Sequence, residues 1–252
     1  MAKVVKKSNG LEERYQHHKD RAKKRLLTGA CFLPVFLLCF GLQSALRLPF
    51  LPVVAFLAAA GGVVAFLLFA YEYNRATILG CGIAGEQAVE EVLSALPDTY
   101  TVYRNVAVAY RDKSAELDTA IVGPTGVFVI EVKNLNGDVR GDHEEKYWTQ
   151  HKIGQKGTPY QKQIYSPVKQ VRTHVFCLAG ILQAAGADVF VQDGVFFSNP
   201  EVEVHLTGQT GRTPVFVYGQ NGTAELLRYI TQRSATLPEP LCQRINAVME
   251  AL

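Results

Sequence analysis

Two stretches without a single charge, residues 26–46 and 48–71, are separated only by Arg47 and limit what this chain of 252 residues can become. At about 1.5 Å per helical residue, each is long enough to cross a ~30 Å hydrocarbon core. A hairpin buried in a soluble core fits poorly, because apolar runs of this length are rare outside bilayers. A cleaved signal peptide fits poorly too, since the first run starts late and a second follows at once. The link at residues 43–49 is short enough to force a helical hairpin, with Pro34, Pro52 and the Gly61-Gly62 pair as points of kinking or close packing. The expected organisation is a basic N-terminal arm (1–27), a transmembrane hairpin in the lipid bilayer (28–71), a linker (72–80) and a globular domain (81–252).

Charge gives the hairpin a direction. The first 25 residues hold nine Lys or Arg against Glu12, Glu13 and Asp20, a net +6, so the rest of a chain totalling +3 carries −3. Positive flanks stay on the cytoplasmic side, and two spans return the C-terminal domain to the side of the N-terminus. The arm itself reads first as a topogenic, lipid-facing segment. His17 and His18 have no acid or cysteine near them at ligand spacing. Of the 48% hydrophobic residues, the excess lies before Glu72, and the ~170 residues after Gly80 suffice for one cored domain.

Several chemistries are disfavoured. Cys31 and Cys39 lie in the first apolar run and Cys81, Cys177 and Cys242 are scattered, with no Cys-x-x-Cys and no zinc spacing. Nor is there a GxxxxGK[ST] or GxGxxG loop to cradle a nucleotide.

Residues 116–133, ELDTAIVGPTGVFVIEVK, are the chemically informative segment. Residues 119–122 and 127–132 are rich in Ile, Val and Phe and are broken by Gly123-Pro124-Thr125-Gly126, which predicts a hairpin. With Pro124 and Thr125 at the centre of the turn, Asp118 faces Glu131 and Glu116 faces Lys133. Opposed residues lie about 5 Å apart on one face, and Lys133 shares that face with Glu131. A three-residue loop with Gly126 as a bulge would slip the pairing by one and separate the acids. Both registers are open at this level. Two facing carboxylates call for a cation, and oxygen ligands suit Mg²⁺ or Mn²⁺. An acid-x-Lys triplet alone is more often a salt-bridged strand pair.

The neighbouring motifs extend the pattern. Asp118 with Glu131-Val132-Lys133 resembles the PD-(D/E)xK nuclease signature. Gly82-Ile83-Ala84-Gly85-Glu86, Glu116-Leu117-Asp118, the run 122–134, Gly137-Asp138-Val139-Arg140-Gly141, Trp148 and Ser166-Pro167-Val168-Lys169-Gln170 resemble the nuclease-related domain (NERD) family over residues 82–182. The resemblance implies a PD-(D/E)xK restriction-endonuclease-like α/β fold, a mixed sheet flanked by helices and preceded by two transmembrane helices. It implies Asp118, Glu131 and Glu86 as metal ligands for Mg²⁺ (or Mn²⁺), Lys133 as the catalytic lysine and Gln170 as a further site residue. The activity implied is hydrolysis of nucleic-acid phosphodiester bonds, DNA ahead of RNA, by a two-pass protein of the bacterial inner membrane with both termini cytoplasmic. A non-catalytic nucleic-acid-binding or scaffolding module is the alternative, and a homo-oligomer is a further expectation. One departure is Ser166-Pro167 where the family has Asn-Pro, and Ser serves a turn or N-cap as well.

Glu86 lies on a predicted helix, 84–96, whose buried stripe is Ala88, Val89, Val92, Leu93 and Leu96, and solvation of its outer face is the simpler role for it. The same holds for Gln170, on a predicted helix 167–183 striped by Val171, Val175, Leu178 and Leu182. Between Lys146 and His174 there are six cations (Lys146, Lys152, Lys156, Lys162, Lys169, Arg172) and no acid, interleaved with Tyr147, Trp148, Tyr160 and Tyr165. Cations beside aromatic rings suit phosphate contact and base stacking, and Gly154, Gly157 and Pro159 predict a loop there. Beyond it, strands are expected at 193–197, 201–206 and 214–218 and helices at 223–232 and 238–251.

Overall fold

The computed structural model describes every residue except 9, 155–156, 209–212, 220 and 235. The chain forms two compact units, Gly10–Ile83 and the combination of Met1–Asn9 with Ala84–Leu252.

The first unit is a helical pair. Helix α1 (Gly10–Leu46) contains Pro34 and ends at Arg47, whose φ of 50° breaks the helical backbone before α2 (Leu51–Ser94) begins. Both helices are long and apolar enough to cross a membrane. Small residues let them approach: Gly29 faces Ala65, and the Phe32 ring lies against Gly61. Past the apolar run, Glu72 is buried between His18 and Arg21. The expected linker at 72–80 is instead uninterrupted helix. Composition changes there from apolar to polar, but no proline falls within 72–94, and a change of composition does not require a break in the backbone.

The second unit is α/β, as the motifs imply. It comprises β1 (Lys3–Lys6), the end of α2, β2 (Thr101–Tyr110), β3 (Lys113–Gly123), β4 (Gly126–Lys133), β5 (Gly137–Asp142), β6 (Tyr147–Ile153) and β7 (Pro159–Tyr165). There follow α3 (Pro167–Ala184), β8 (Val191–Phe197), β9 (Val202–Thr207), β10 (Val215–Val217), α4 (Gly222–Thr231) and α5 (Glu239–Ala251). A six-stranded mixed sheet has the order β1-β2-β3-β4-β8-β10, and a four-stranded sheet the order β7-β6-β5-β9. The basic arm is thus partly a strand: β1 pairs in parallel with β2, Lys3 opposite Thr101 through Lys6 opposite Arg104.

Period-two alternation along β4 divides two cores. Val127 and Val129 join one with Val171, Leu178 and Leu182 of α3 and Met249 of α5. Phe128 and Ile130 join the other with Val89 and Leu93 of α2 and Leu226 and Ile230 of α4. Six of the eight β4 residues are buried, as a central strand covered on both faces requires. Ser166 caps α3 with its side chain on the Lys169 N–H, and Pro167 opens the helix. Gly85 marks the closest approach of α2 to the strand ends, since a Cβ there would stand 2.7 Å from both Asn134 Cβ and Ser198 Oγ.

Candidate active site

The hairpin register decides whether a site exists. Gly123 pairs with Gly126 and Thr119 with Ile130, so the bulged alternative is excluded and the next step outward sets Asp118 against Glu131. The ladder stops there because Asp118 intervenes: its Oδ2 accepts the Val132 N–H at 2.8 Å. On its other side, the β2–β3 ladder skips Asn105, the residue across from Asp118, whose φ of 54° lies in the left-handed region. Asn tolerates that conformation better than other non-glycine residues, so it suits a break in the ladder. Both neighbouring strands therefore part around Asp118.

Glu131 and Lys133 continue the face of Val127 and Val129, the face that α3 covers. Lys133 Nζ donates to Glu131 Oε1 at 2.6 Å and to Gln170 Oε1 at 3.0 Å. Glu131 is fully buried, and His174 Nδ1, one turn beyond Gln170 on α3, lies 3.1 Å from Glu131 Oε2. Burial first, then the charge of Glu131, pushes the Asp118 carboxyl up to about 7, against the pull of Lys133 and of the Val132 N–H. Burial resists ionisation of Glu131 as well, yet the His174 imidazole and the Lys133 ammonium hold its carboxyl below the ordinary value. The result is one carboxylate kept charged beside another whose ionisation is held back by burial and by that charge.

Other expected contributors are placed differently. Glu86 Oε2 accepts from Arg104 Nη2 at 2.9 Å and from Asn105 Nδ2 at 3.2 Å, and the same buried arginine pairs with Glu90. Its helix packs on the core of Phe128 and Ile130, across the sheet from α3. Among the described residues no three His, Cys, Asp or Glu side chains gather as a metal-binding group, and the Glu86 carboxyl is engaged with Arg104 and Asn105.

The basic aromatic segment forms the β6–β7 hairpin, with the expected loop between Ile153 and Pro159. Trp148 is corrected from a stacking platform to a core residue: it is buried, its Nε1–H donates to Asp142 O at 2.8 Å, and its indole fills the space a Cβ on Gly141 would need. Lys169 and Arg172 both pair with Glu144, which lies just outside the acid-free stretch. Lys146 sits over the Tyr147 ring, and Lys162 is exposed on β7 beside exposed Tyr160. Lys152 is on β6, while Lys156 lies outside the described residues.

Three site-forming residues escape sequence reasoning: Arg104, Asn105 and His174. For His174 a signal did exist, the i, i+4 spacing from Gln170 that puts both on one side of α3. Asn105 and Arg104 sit in an unremarkable strand and acquire meaning only from what they face.

An uncharacterized protein of Bacillus anthracis is 36% identical over 94 residues, which is 36% of this chain and 43% of that relative. The chain therefore spans less than half the length of the relative it matches. No solved structure matches the chain. Residues 82–198 match the family described as nuclease-related domain, and the matched segment holds Asp118, Glu131, Lys133 and Gln170.

Proposed function

We propose that this chain is a membrane-anchored nuclease that hydrolyses nucleic-acid phosphodiester bonds with the help of Mg²⁺ or Mn²⁺. The observation that carries this reading is the pair Asp118 and Glu131, opposed across one hairpin, with Lys133 held beside them by Gln170. A divalent cation fits the pair: two neighbouring carboxyls supply hard oxygen donors, and their mutual repulsion is what a cation between them would relieve. Two carboxylates, with phosphate and water completing the shell, are a usual holder for Mg²⁺. When bound, the ion would polarise a phosphoryl oxygen and acidify water.

The chain's own residues do the rest. Lys133 keeps its ammonium fixed by Glu131 and Gln170, leaving donor capacity for a phosphate oxygen or an attacking water. A preorganised cation aimed at developing charge is the larger share of such catalysis. Asn105 interrupts the β2–β3 ladder opposite Asp118, whose carboxyl keeps one oxygen beyond the one that takes the Val132 N–H.

Anchoring rests on the helical pair, whose large apolar side chains face outward: Phe40, Phe56 and Phe66 are 69%, 71% and 62% exposed. Those surfaces suit a bilayer. Pairing of β1 with β2 puts the residues before α1 and those after α2 in one sheet, which supports a two-pass topology with both ends on one side. The basic first 25 residues favour the cytoplasmic side of a bacterial inner membrane.

The test is cleavage of a panel of single- and double-stranded DNA and RNA by the full chain in detergent, with Mg²⁺, with Mn²⁺ and with EDTA. Metal-dependent cleavage that Lys133→Ala lowers by about 10²–10³ is expected. No cleavage of any substrate, or wild-type rates in Lys133→Ala, would sink the reading. Because β1 completes the sheet, a fragment starting at residue 81 is the wrong material for this assay.

A further inference from the structure

Gln170 and His174 stand one helical turn apart on α3 and reach the same strand. Gln170 Oε1 takes Lys133 Nζ at 3.0 Å, and His174 Nδ1 stands 3.1 Å from Glu131 Oε2. His174 is 5% exposed and Glu131 is fully enclosed. Neither Nδ1 nor Oε2 has another hydrogen-bond partner. Facing lone pairs at this distance, shielded from water, would repel, whereas a proton on Nδ1 turns the contact into a hydrogen bond after a small turn of the ring. A buried polar pair with no other partner implies that arrangement.

The consequence concerns the rotation of one carboxylate. Lys133 already holds Glu131 Oε1 at 2.6 Å. Were Oε2 unrestrained, the carboxylate could swing to offer both oxygens to the ammonium. We propose that His174 is a positioning residue: its Nδ1–H grips Glu131 Oε2 and orients the carboxylate so that its remaining lone pairs serve the divalent cation shared with Asp118. The inference rests on the metal-dependent reading above. Together, Gln170 and His174 make α3 a two-point clamp, one side chain for the lysine and one for the glutamate. The other helix residues around them, Val171, Cys177 and Leu178, are core side chains with no such contact to make.

The experiment uses the full chain in detergent and Mn²⁺ as probe, with free Mn²⁺ followed by its electron paramagnetic resonance signal. Outer residues that orient a ligand are worth about 10–100-fold in metal affinity, and His174→Leu is expected to lose that much. His174→Asn sets an amide nitrogen where Nδ1 stands and is expected to recover most of the affinity. His174→Gln carries its donor to the place of Nε2 and is expected to fall with Leu. Thermal melting of each metal-free variant separates lost orientation from lost folding. Wild-type Mn²⁺ affinity in His174→Leu, or equal affinities in the Asn and Gln variants, overturns the proposal, and the Asn–Gln pair decides it even if His174→Leu does not fold. A wild-type chain that takes up no Mn²⁺ would instead overturn the metal reading itself, and this inference with it.

Discussion

The two units use the same apolar residue types in opposite directions. In the α/β unit Phe128, Ile130 and Phe196 have no exposed surface, while in the helical pair Phe56 and Phe66 point outward over most of theirs. The first pattern is what water imposes on apolar side chains, and the second is what lipid would accept, where backbone satisfaction and small-residue packing matter instead. Polar groups show the same inversion. Glu72 is shielded by its partner helix and paired with His18 and Arg21, whereas half-buried Asp118 stands beside buried Glu131, whose charge opposes its ionisation. The first arrangement serves packing, and the second stores repulsion that a cation would release.

The largest effect tests that second arrangement. Asp118→Asn should cost about 10²–10³ in cleavage yet make the metal-free protein more stable at pH 8 than the wild type. The folded Asp118 carboxyl titrates near 7, above its unfolded value of about 4, so its favourable contribution is complete below pH ~4 and is lost as pH rises through 7. Melting temperatures of wild type and variant, without metal, should therefore diverge between pH 5 and 8 and converge when Mg²⁺ is added. Parallel melting curves across that range would show that burial and Glu131 do not raise the Asp118 carboxyl.

Next in size is a charge on the outward face of the helical pair. Phe56→Arg should cost about 2.5–3.5 kcal/mol of membrane insertion, read as loss of protein from the membrane fraction. An unchanged distribution would erase the contrast between the units. Gly85→Ala acts only on the α/β unit, where the added methyl meets Asn134 and Ser198 and should destabilise by about 1–3 kcal/mol in a denaturant titration. The smallest effect belongs to Lys162→Ala on the exposed β7. It should weaken nucleic-acid binding modestly and lower the salt-dependence slope by about 0.9 if that cation meets a phosphate. An unaltered slope removes β7 from the substrate path.

The hairpin of Asp118 and Glu131 was legible because a period of two and a Gly-Pro-Thr-Gly turn leave few registers, and the structure selects the tighter one. Trp148 was misread because its neighbours in sequence are basic, while alternation along β6 turns it inward with Gln150. β1 was missed because four residues of Lys and Val carry little signal until β2, nearly a hundred residues away, supplies the ladder. Local pattern placed Glu86 on a helix, but which face of the sheet that helix covers is a matter of packing between distant segments.

By itself, then, the sequence determined the two apolar spans, the acidic hairpin with its lysine and the helix bearing Gln170, because each depends on residues near one another in the chain. Tertiary structure alone decided that Glu86 answers to Arg104, that Asn105 parts the strands at Asp118 and that His174 meets Glu131. Those contacts join segments whose separation along the chain leaves no periodic trace, and only burial in a shared core brings them within hydrogen-bonding reach.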